Sequence, residues 1–433
     1  VIPRICMTKK GAWIWQWVPY LLSLRFPMST TESRERTINL GAGPSMLPTN
    51  VVLEASKGFI DYEGSGIGVA ELSHRSARFK TILSNAENDL RSLMNIPENY
   101  AVLFMQGGGT EQFSASLLNM LAAHAAKHGE GRTTAPPVDY VVSGTWSSKA
   151  VKEARRLTSR VNVVCDMTSL LGDANAKIPQ PDSWQLSSID EYPAMLYYCD
   201  NETIHGFEFP QDFIKQLPPA YRERVPIVAD CSSNILSRPI DVRAHGIIFF
   251  GAQKNVGPSG VTIAIVRRDL IVDPDAFKSP YVPPIPAMLV YKNMADNDSL
   301  YNTPPSFPIY VSGIVFRDLI AQGGITKSKE RAEAKSELVY KTLDAYPDVY
   351  KPTVAHQEFR SHMNITLRVL NRSTHEPSPE AESKLISFFG EHDIVEIKGH
   401  RSIGGIRISL YNVVTLKQAE KVASLLKQFA EST

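Results

Sequence analysis

The chain of 433 residues carries 46 Lys+Arg against 45 Asp+Glu, a net charge of +1, so no overall basic excess marks it for nucleic acid. Hydrophobic residues make up 43% and charged residues 21%, which excludes global disorder. The length asks for two domains, or one large α/β domain with an appendage. Residues 1–27 come first and hold Arg4, Lys9, Lys10 and Arg25 but no acid. Their apolar run, 12–22, is too short and interrupted to cross a bilayer. No small-residue cleavage site follows it, so a secretory signal is a poor reading, while mitochondrial targeting stays open. The simplest expectation is that Met28 is the start and that residues 1–27 are a non-native or disordered leader.

From residue 101 onward, short apolar runs alternate with amphipathic stretches, the pattern of an α/β fold. Residues 101–105 read as a buried strand, followed by Gly107-Gly108-Gly109-Thr110 and a helical stretch over 111–124. Further strands are predicted at 140–142, 161–164, 194–199, 226–229, 246–250 and 261–266, with a helix at 148–156. Residues 281–308 are rich in proline but also in aromatics, so they read as an ordered loop. After about residue 310 the pattern changes. Helices are predicted over 311–321, 327–346, 381–389 and 416–429, with strands near 363–369 and 406–410. This places a large domain at 49–328 and a smaller α+β domain at 329–433, joined by the segment 28–48.

In open parallel sheets, ligands sit beyond the carboxyl ends of the strands. Gly107-Gly108-Gly109-Thr110 lies at such an end, where glycines let the backbone approach an anion and the helix N-terminus offers free N–H groups. Lys254 lies in a Gly-rich turn between two apolar strands; partial desolvation there lowers an amine's pKa and makes it a usable nucleophile. Asp230 closes another strand. A strand-end lysine and a strand-end acid together suit pyridoxal phosphate: the amine forms the Schiff base and the carboxylate keeps the ring nitrogen protonated. Trp146, in a Gly-Thr-Trp turn, offers a flat face for stacking. Taken singly, each of these is more often a turn, a cap or a core residue.

Together with Gly41-Ala42-Gly43-Pro44-Ser45, Glu71-Leu72-Ser73-His74-Arg75-Ser76, Ala229-Asp230-Cys231-Ser232-Ser233, Gly251-Ala252-Gln253-Lys254-Asn255 and Gly399-His400-Arg401, they form a specific set. From about Ile38 to its end, the sequence resembles the phosphoserine aminotransferase family, a branch of the class-V, fold type I pyridoxal-phosphate enzymes. The resemblance implies an α/β large domain with a mixed, mostly parallel sheet between helices. It also implies reversible transamination between L-glutamate and 3-phosphooxypyruvate in serine biosynthesis. By resemblance, Lys254 carries pyridoxal 5'-phosphate, Asp230 pairs with the ring nitrogen and Trp146 stacks on the ring. Thr203 would contact the ring hydroxyl, while Gly109, Thr110 and Gln253 would meet the phosphate. Asn302 and Thr303 would complete that phosphate site from the neighbouring subunit of a homodimer. Arginine forks suit carboxylate and phosphate: Arg407 would hold the α-carboxylate, and His400 and Arg401 the distal anion. Arg75 would reach the distal anion from the partner chain, and His74 beside it is a further substrate-binding candidate. Thr110 replaces the arginine that bacterial members often carry there, and Ala42 a serine of some members.

The same set sorts the rivals. A cysteine desulfurase needs a cysteine well after its lysine, yet Cys6, Cys165, Cys199 and Cys231 all precede Lys254. An alanine-using aminotransferase has less need of so many anion ligands. The cysteines form no CxxC pair, so no metal site is expected, and their low density suits a reducing, cytoplasmic compartment.

Overall fold

The computed structural model describes residues 3–7, 13–17 and 37–432. Two units divide the chain, residues 1–37 and 38–433. In the first, Pro3–Met7 pairs antiparallel with Trp13–Trp17, placing Ile5 opposite Trp15. The rest of the expected leader, Met28 included, lies outside the described residues.

The second unit is built on a seven-stranded sheet: β1 (Tyr100–Met105), β2 (Val138–Val142), β3 (Val161–Asp166), β4 (Met195–Cys199), β5 (Ile227–Asp230), β6 (Ile247–Gly251) and β7 (Thr262–Arg267). Their order is β1-β7-β6-β5-β4-β2-β3. Only β7 runs against its neighbours. It follows β6 through the connection 252–261, which is too short for the crossover that a parallel pair needs. Strands β1, β2, β4, β5 and β6 are buried along their whole length, because helices cover both faces. Alternation then sorts their side chains: Ile248 and Phe250 enter one core, Ile247 and Phe249 the other.

Helices α1 (Ala77–Met94), α2 (Gly108–His128), α3 (Thr145–Leu157) and α4 (Ser306–Ala321) supply those cores. The side chain of Ser76 caps α1 by accepting from Phe79 N–H at 3.2 Å. The structure starts α2 three residues before the predicted helix. Glycine is a poor helix former, so the triple glycine hides the first turn, which the left-handed Gly107 at φ +85° allows. Similarly α4 begins at Ser306 rather than 311, since Pro308 falls in the first turn, where proline is tolerated. The Pro-rich stretch before it contains a helical turn, Tyr291–Asp296, fastened by Tyr291 Oη donating to Gln112 Oε1 at 2.8 Å.

A second, antiparallel sheet joins β8 (Tyr350–Pro352), β9 (Asn364–Val369) and β10 (Ile406–Ser409). Its Ile365, Leu367, Ile406 and Ile408 pack with α6 (Pro379–Gly390) and α7 (Leu416–Ser432). Ile38 and Leu40 join the same core, and Ile38–Asn39 pairs with Ile394–Val395. The chain passes between cores inside α5 (Gly324–Ala345) rather than through a linker: Ile325 packs on the large core, Val339 and Leu343 in the small one. Among the described residues no helix is long and apolar enough to cross a membrane.

Candidate active site

A cavity of about 300 Å³ opens beyond the carboxyl ends of β4, β5 and β6, and Arg407 of β10 closes it from the second sheet. Lys254 reaches it from the turn after β6. Its Nζ donates to Thr203 Oγ1 at 2.8 Å. Burial lowers the amine's pKa, and the nearby Asp230 carboxylate pulls the other way. Gly43 lies against this side chain: at φ +129°, an added Cβ would stand 3.3 Å from Lys254 Cγ.

Asp230 ends β5 and is 5% exposed. Its Oδ1 accepts from Ser232 N–H at 2.9 Å and from Ser232 Oγ at 2.6 Å. Burial raises its pKa; the Ser232 bonds and Lys254 oppose that.

Trp146 stands in the first turn of α3, with Lys254 Nζ 6.0 Å from its ring centroid. The turn is held by Glu202, which is fully buried. The Glu202 carboxylate accepts from Trp146 N–H at 3.1 Å, Ser147 N–H at 2.8 Å and Ser147 Oγ at 2.7 Å. A carboxylate among the free N–H groups of a helix start satisfies donors that have no partner inside the helix. Gly144 leaves room for it, since a Cβ there would sit 2.6 Å from Glu202 Cδ.

Gly109 and Thr110 bring the N-terminus of α2 to the cavity, and Gln253 joins them. Gly109 is a close approach: a Cβ would lie 3.1 Å from Ser232 Oγ. Arg407 lines the cavity and has a buried Nε with no hydrogen-bond partner, and burial lowers its pKa. His400 also lines the cavity, with Nδ1 2.7 Å from Ser402 Oγ.

The structure thus brings Lys254, Asp230, Trp146, Thr203, Gln253, Gly109, Thr110, His400 and Arg407 to one cavity. It does not bring His74, Arg75, Arg401, Asn302 or Thr303 to the lining of that cavity within this chain. Arg75, Arg401 and Thr303 are exposed, and the Thr303 carbonyl accepts from Gln106 Nε2 at 3.3 Å. Sequence reasoning missed Glu202, Ser232 and Phe113. An acid directly after an apolar strand, as in Asn201-Glu202-Thr203, is the signal that could have found Glu202.

Pyridoxal phosphate fits these groups. An amine, a buried carboxylate and an indole face one space, beside a helix N-terminus kept bare by Gly109. The indole Nε1 is itself buried without a partner, a donor that a bound polar group would satisfy.

Comparison with known proteins gives the same reading. The aminotransferase class-V family matches residues 37–422. The phosphoserine aminotransferase of Drosophila melanogaster is 41% identical over 392 residues, spanning 90% of this chain and 98% of its own length. Phosphoserine aminotransferase 2, chloroplastic, of Arabidopsis thaliana is 40% identical over 401 residues, 93% of this chain and 86% of its own. The solved phosphoserine aminotransferase from Bacillus circulans subsp. alkalophilus superimposes with a TM-score of 0.78 at 35% identity, covering 92% of this chain and 99% of that one. The chain therefore belongs to the class-V aminotransferase family, alongside its phosphoserine aminotransferases.

Proposed function

We propose that this chain transfers the amino group of L-glutamate to 3-phosphooxypyruvate, giving O-phospho-L-serine and 2-oxoglutarate reversibly, as a pyridoxal-phosphate enzyme of serine biosynthesis. The observation that carries the reading is the pair of basic groups, Arg407 and His400, facing the same cavity as Lys254 with no carboxylate partner among the described residues. A half-buried guanidinium whose buried Nε has no partner is costly. A substrate anionic at both ends supplies what is missing.

When bound, pyridoxal phosphate supplies an aldehyde for the amine nitrogen and a ring that takes up the charge left by a departing proton. The chain's own residues do the rest. Asp230 would hold a proton at the ring nitrogen, in a setting where burial strengthens the interaction. Lys254, with its amine pKa lowered by burial, is suited to carry the α-proton between carbon atoms. Trp146 would wall one face and exclude water, while Gly109, Thr110 and Gln253 would receive the phosphate. Arg407 would hold the α-carboxylate and fix which bond faces Lys254.

A homodimer belongs to the same proposal, with His74, Arg75, Asn302 and Thr303 of each chain completing the other's site. Support comes from the helix Thr49–Ile60 and the loop after it, which leave Leu53 at 52%, Phe59 at 54% and Ile60 at 76% exposed. So many large apolar side chains on one short stretch suit a covered face. A cytoplasmic location is likewise proposed; Cys165, Cys199 and Cys231 are all free and buried.

The test is an absorption spectrum of the purified protein, followed by phosphoserine and, separately, alanine. A visible band that phosphoserine converts supports the reading. A band that answers only to alanine discards the substrate, and no band after adding pyridoxal phosphate discards the enzyme.

A further inference from the structure

Lys149 lies outside the set of residues expected from the sequence. It sits one turn into α3, exposed, with its Nζ 4.1 Å from the centroid of the Trp146 indole. Its natural counter-charge, Glu153 one turn later, is engaged elsewhere. Glu153 pairs with Arg156 at 2.6 Å and accepts from Ser114 Oγ at 2.8 Å. No other carboxylate forms an ion pair with Lys149 among the described residues.

The Ser114–Glu153 bond also sets the register between α2 and α3. One turn back from each residue leads to Thr110 on α2 and Lys149 on α3. Helical side chains lean toward the N-terminus, so Lys149 is directed to the end where both helices meet the cavity. His400 faces the same cations: burial lowers its pKa, followed by Arg407, Lys149 and Arg401. His400 of the cavity lining thus lies within electrostatic reach of positive charges from three elements: α3, the loop before β10, and β10.

We propose that Lys149 is a specificity-determining residue that forms the outer edge of the anion site and favours a substrate ending in a doubly charged phosphate over one ending in a singly charged carboxylate. The inference rests on the phosphoserine reading. Trp146 holds the ammonium through its ring face, which keeps it poised without neutralising it.

The test uses the enzyme loaded with pyridoxal phosphate and the variants Lys149→Met and Lys149→Arg. Methionine keeps an apolar stem over the indole and removes the charge. An exposed ion pair changes affinity by about fivefold at most per unit charge, and a phosphate carries nearly two. The expected result in Lys149→Met is a fall in kcat/KM of about tenfold for phosphoserine and of about threefold or less for glutamate. Lys149→Arg restores the difference. The phosphoserine effect shrinks on raising salt from about 0.01 to 0.15 M, where screening shortens to about 8 Å. Calorimetry with inorganic phosphate at low salt gives a second readout and weakens in parallel. Equal losses for both substrates, or a loss that salt does not change, overturn the proposal. A wild-type protein that does not turn over phosphoserine overturns the functional reading itself, and this inference with it.

Discussion

The bond from Lys254 Nζ to Thr203 Oγ1, 2.8 Å long, joins two strand ends that are not neighbours in the sheet. Lys254 follows β6 and Thr203 follows β4, and β5 with Asp230 runs between them. The bond therefore holds the lysine across the middle strand, near enough for the Asp230 charge to raise its pKa. Hydrogen bonds to charged groups contribute about 1.5–3 kcal/mol. Thr203→Val keeps the shape and deletes the acceptor. The expected result is a fall in kcat of roughly ten- to hundredfold, read from steady-state rates. A fall below about threefold would show that the amine is aimed by something else.

Lys254 is the proposed carrier of the proton chemistry, and among the described residues no other amine lines the cavity. In Lys254→Ala, turnover should drop by more than about a thousandfold, the upper part of the range for general acid–base groups. Retention of more than that fraction, in a variant whose circular dichroism matches the wild type, would remove Lys254 from its role.

The parts of this site that were legible in the sequence are those where the residue type names its own chemistry. A lysine in a Gly-rich turn and an acid at a strand end stand out because neither suits the apolar runs around them. The strands were legible because β4, β5 and β6 are buried on both faces and read as unbroken apolar runs. What stayed hidden depends on pairing across the fold. Glu202 looks like any turn acid until the sheet order places it beside the first turn of α3. The antiparallel course of β7 follows from the β6 turn, which apolar content alone does not show. The start of α2 was obscured because Gly108 and Gly109 oppose helix propensity, yet Gly108 takes a left-handed φ of +69° and Gly109 lies close against Ser232.

Glu202 then makes a stability prediction. Its carboxylate answers two backbone N–H groups and one hydroxyl, while burial raises its pKa and the Ser147 and Trp146 bonds lower it. Glu202→Ala leaves these donors buried and unpaired, at about 1–3 kcal/mol for each unsatisfied group. The variant should lose at least about 2 kcal/mol in urea unfolding. The phosphoserine-induced spectral change should also weaken, because Trp146 sits in the loosened turn. Unchanged stability would mean that water takes over the donors.

An ion cluster around the buried Glu208 gives a pH dependence. His362 Nδ1 lies 2.9 Å from Glu208 Oε2, and Arg238 Nε 3.2 Å from Glu208 Oε1. Burial pulls the His362 pKa down, but its hydrogen bond and charge interaction with Glu208 outweigh this, and the net shift is upward from 6.5. A base whose pKa rises on folding contributes fully below its unfolded pKa, and that contribution fades as the pH climbs through the raised value. Glu208 behaves oppositely: burial pushes it up, Arg238 and His362 bring it to about 2. Its contribution is present above its ordinary pKa and is lost only as the pH falls toward about 2. His362→Gln should therefore lower Tm most at pH values below the ordinary 6.5, with the deficit shrinking as the pH climbs above it. A deficit independent of pH over that range would mean that packing, not charge, is what His362 contributes.

Lys335 raises the opposite question, since a lone buried ammonium is a cost unless its protons are all used. It is 1% exposed and donates to the carbonyls of Leu410, Tyr411 and Val414 at 2.9, 2.8 and 2.8 Å. Burial, with Arg331 one turn earlier, pulls its pKa down to about 7, so the three carbonyls are what offset the desolvation. They belong to the turn after β10, which touches the active-site elements twice. Tyr411 Oη donates to Ala42 O at 2.9 Å, and Asn412 N–H to Asn255 Oδ1 at 2.9 Å, next to Lys254. Lys335→Met removes the desolvation cost together with the donor, so the acceptors left behind decide the sign. The Tyr411 carbonyl keeps the Val414 N–H at 2.9 Å, so at about 1–3 kcal/mol for each of the other two acceptors the variant should be destabilised by about 2 kcal/mol or more in urea unfolding. A loss below about 1 kcal/mol would show that the turn relaxes to find water, and that Ala42 and Asn255 are held in place without the lysine.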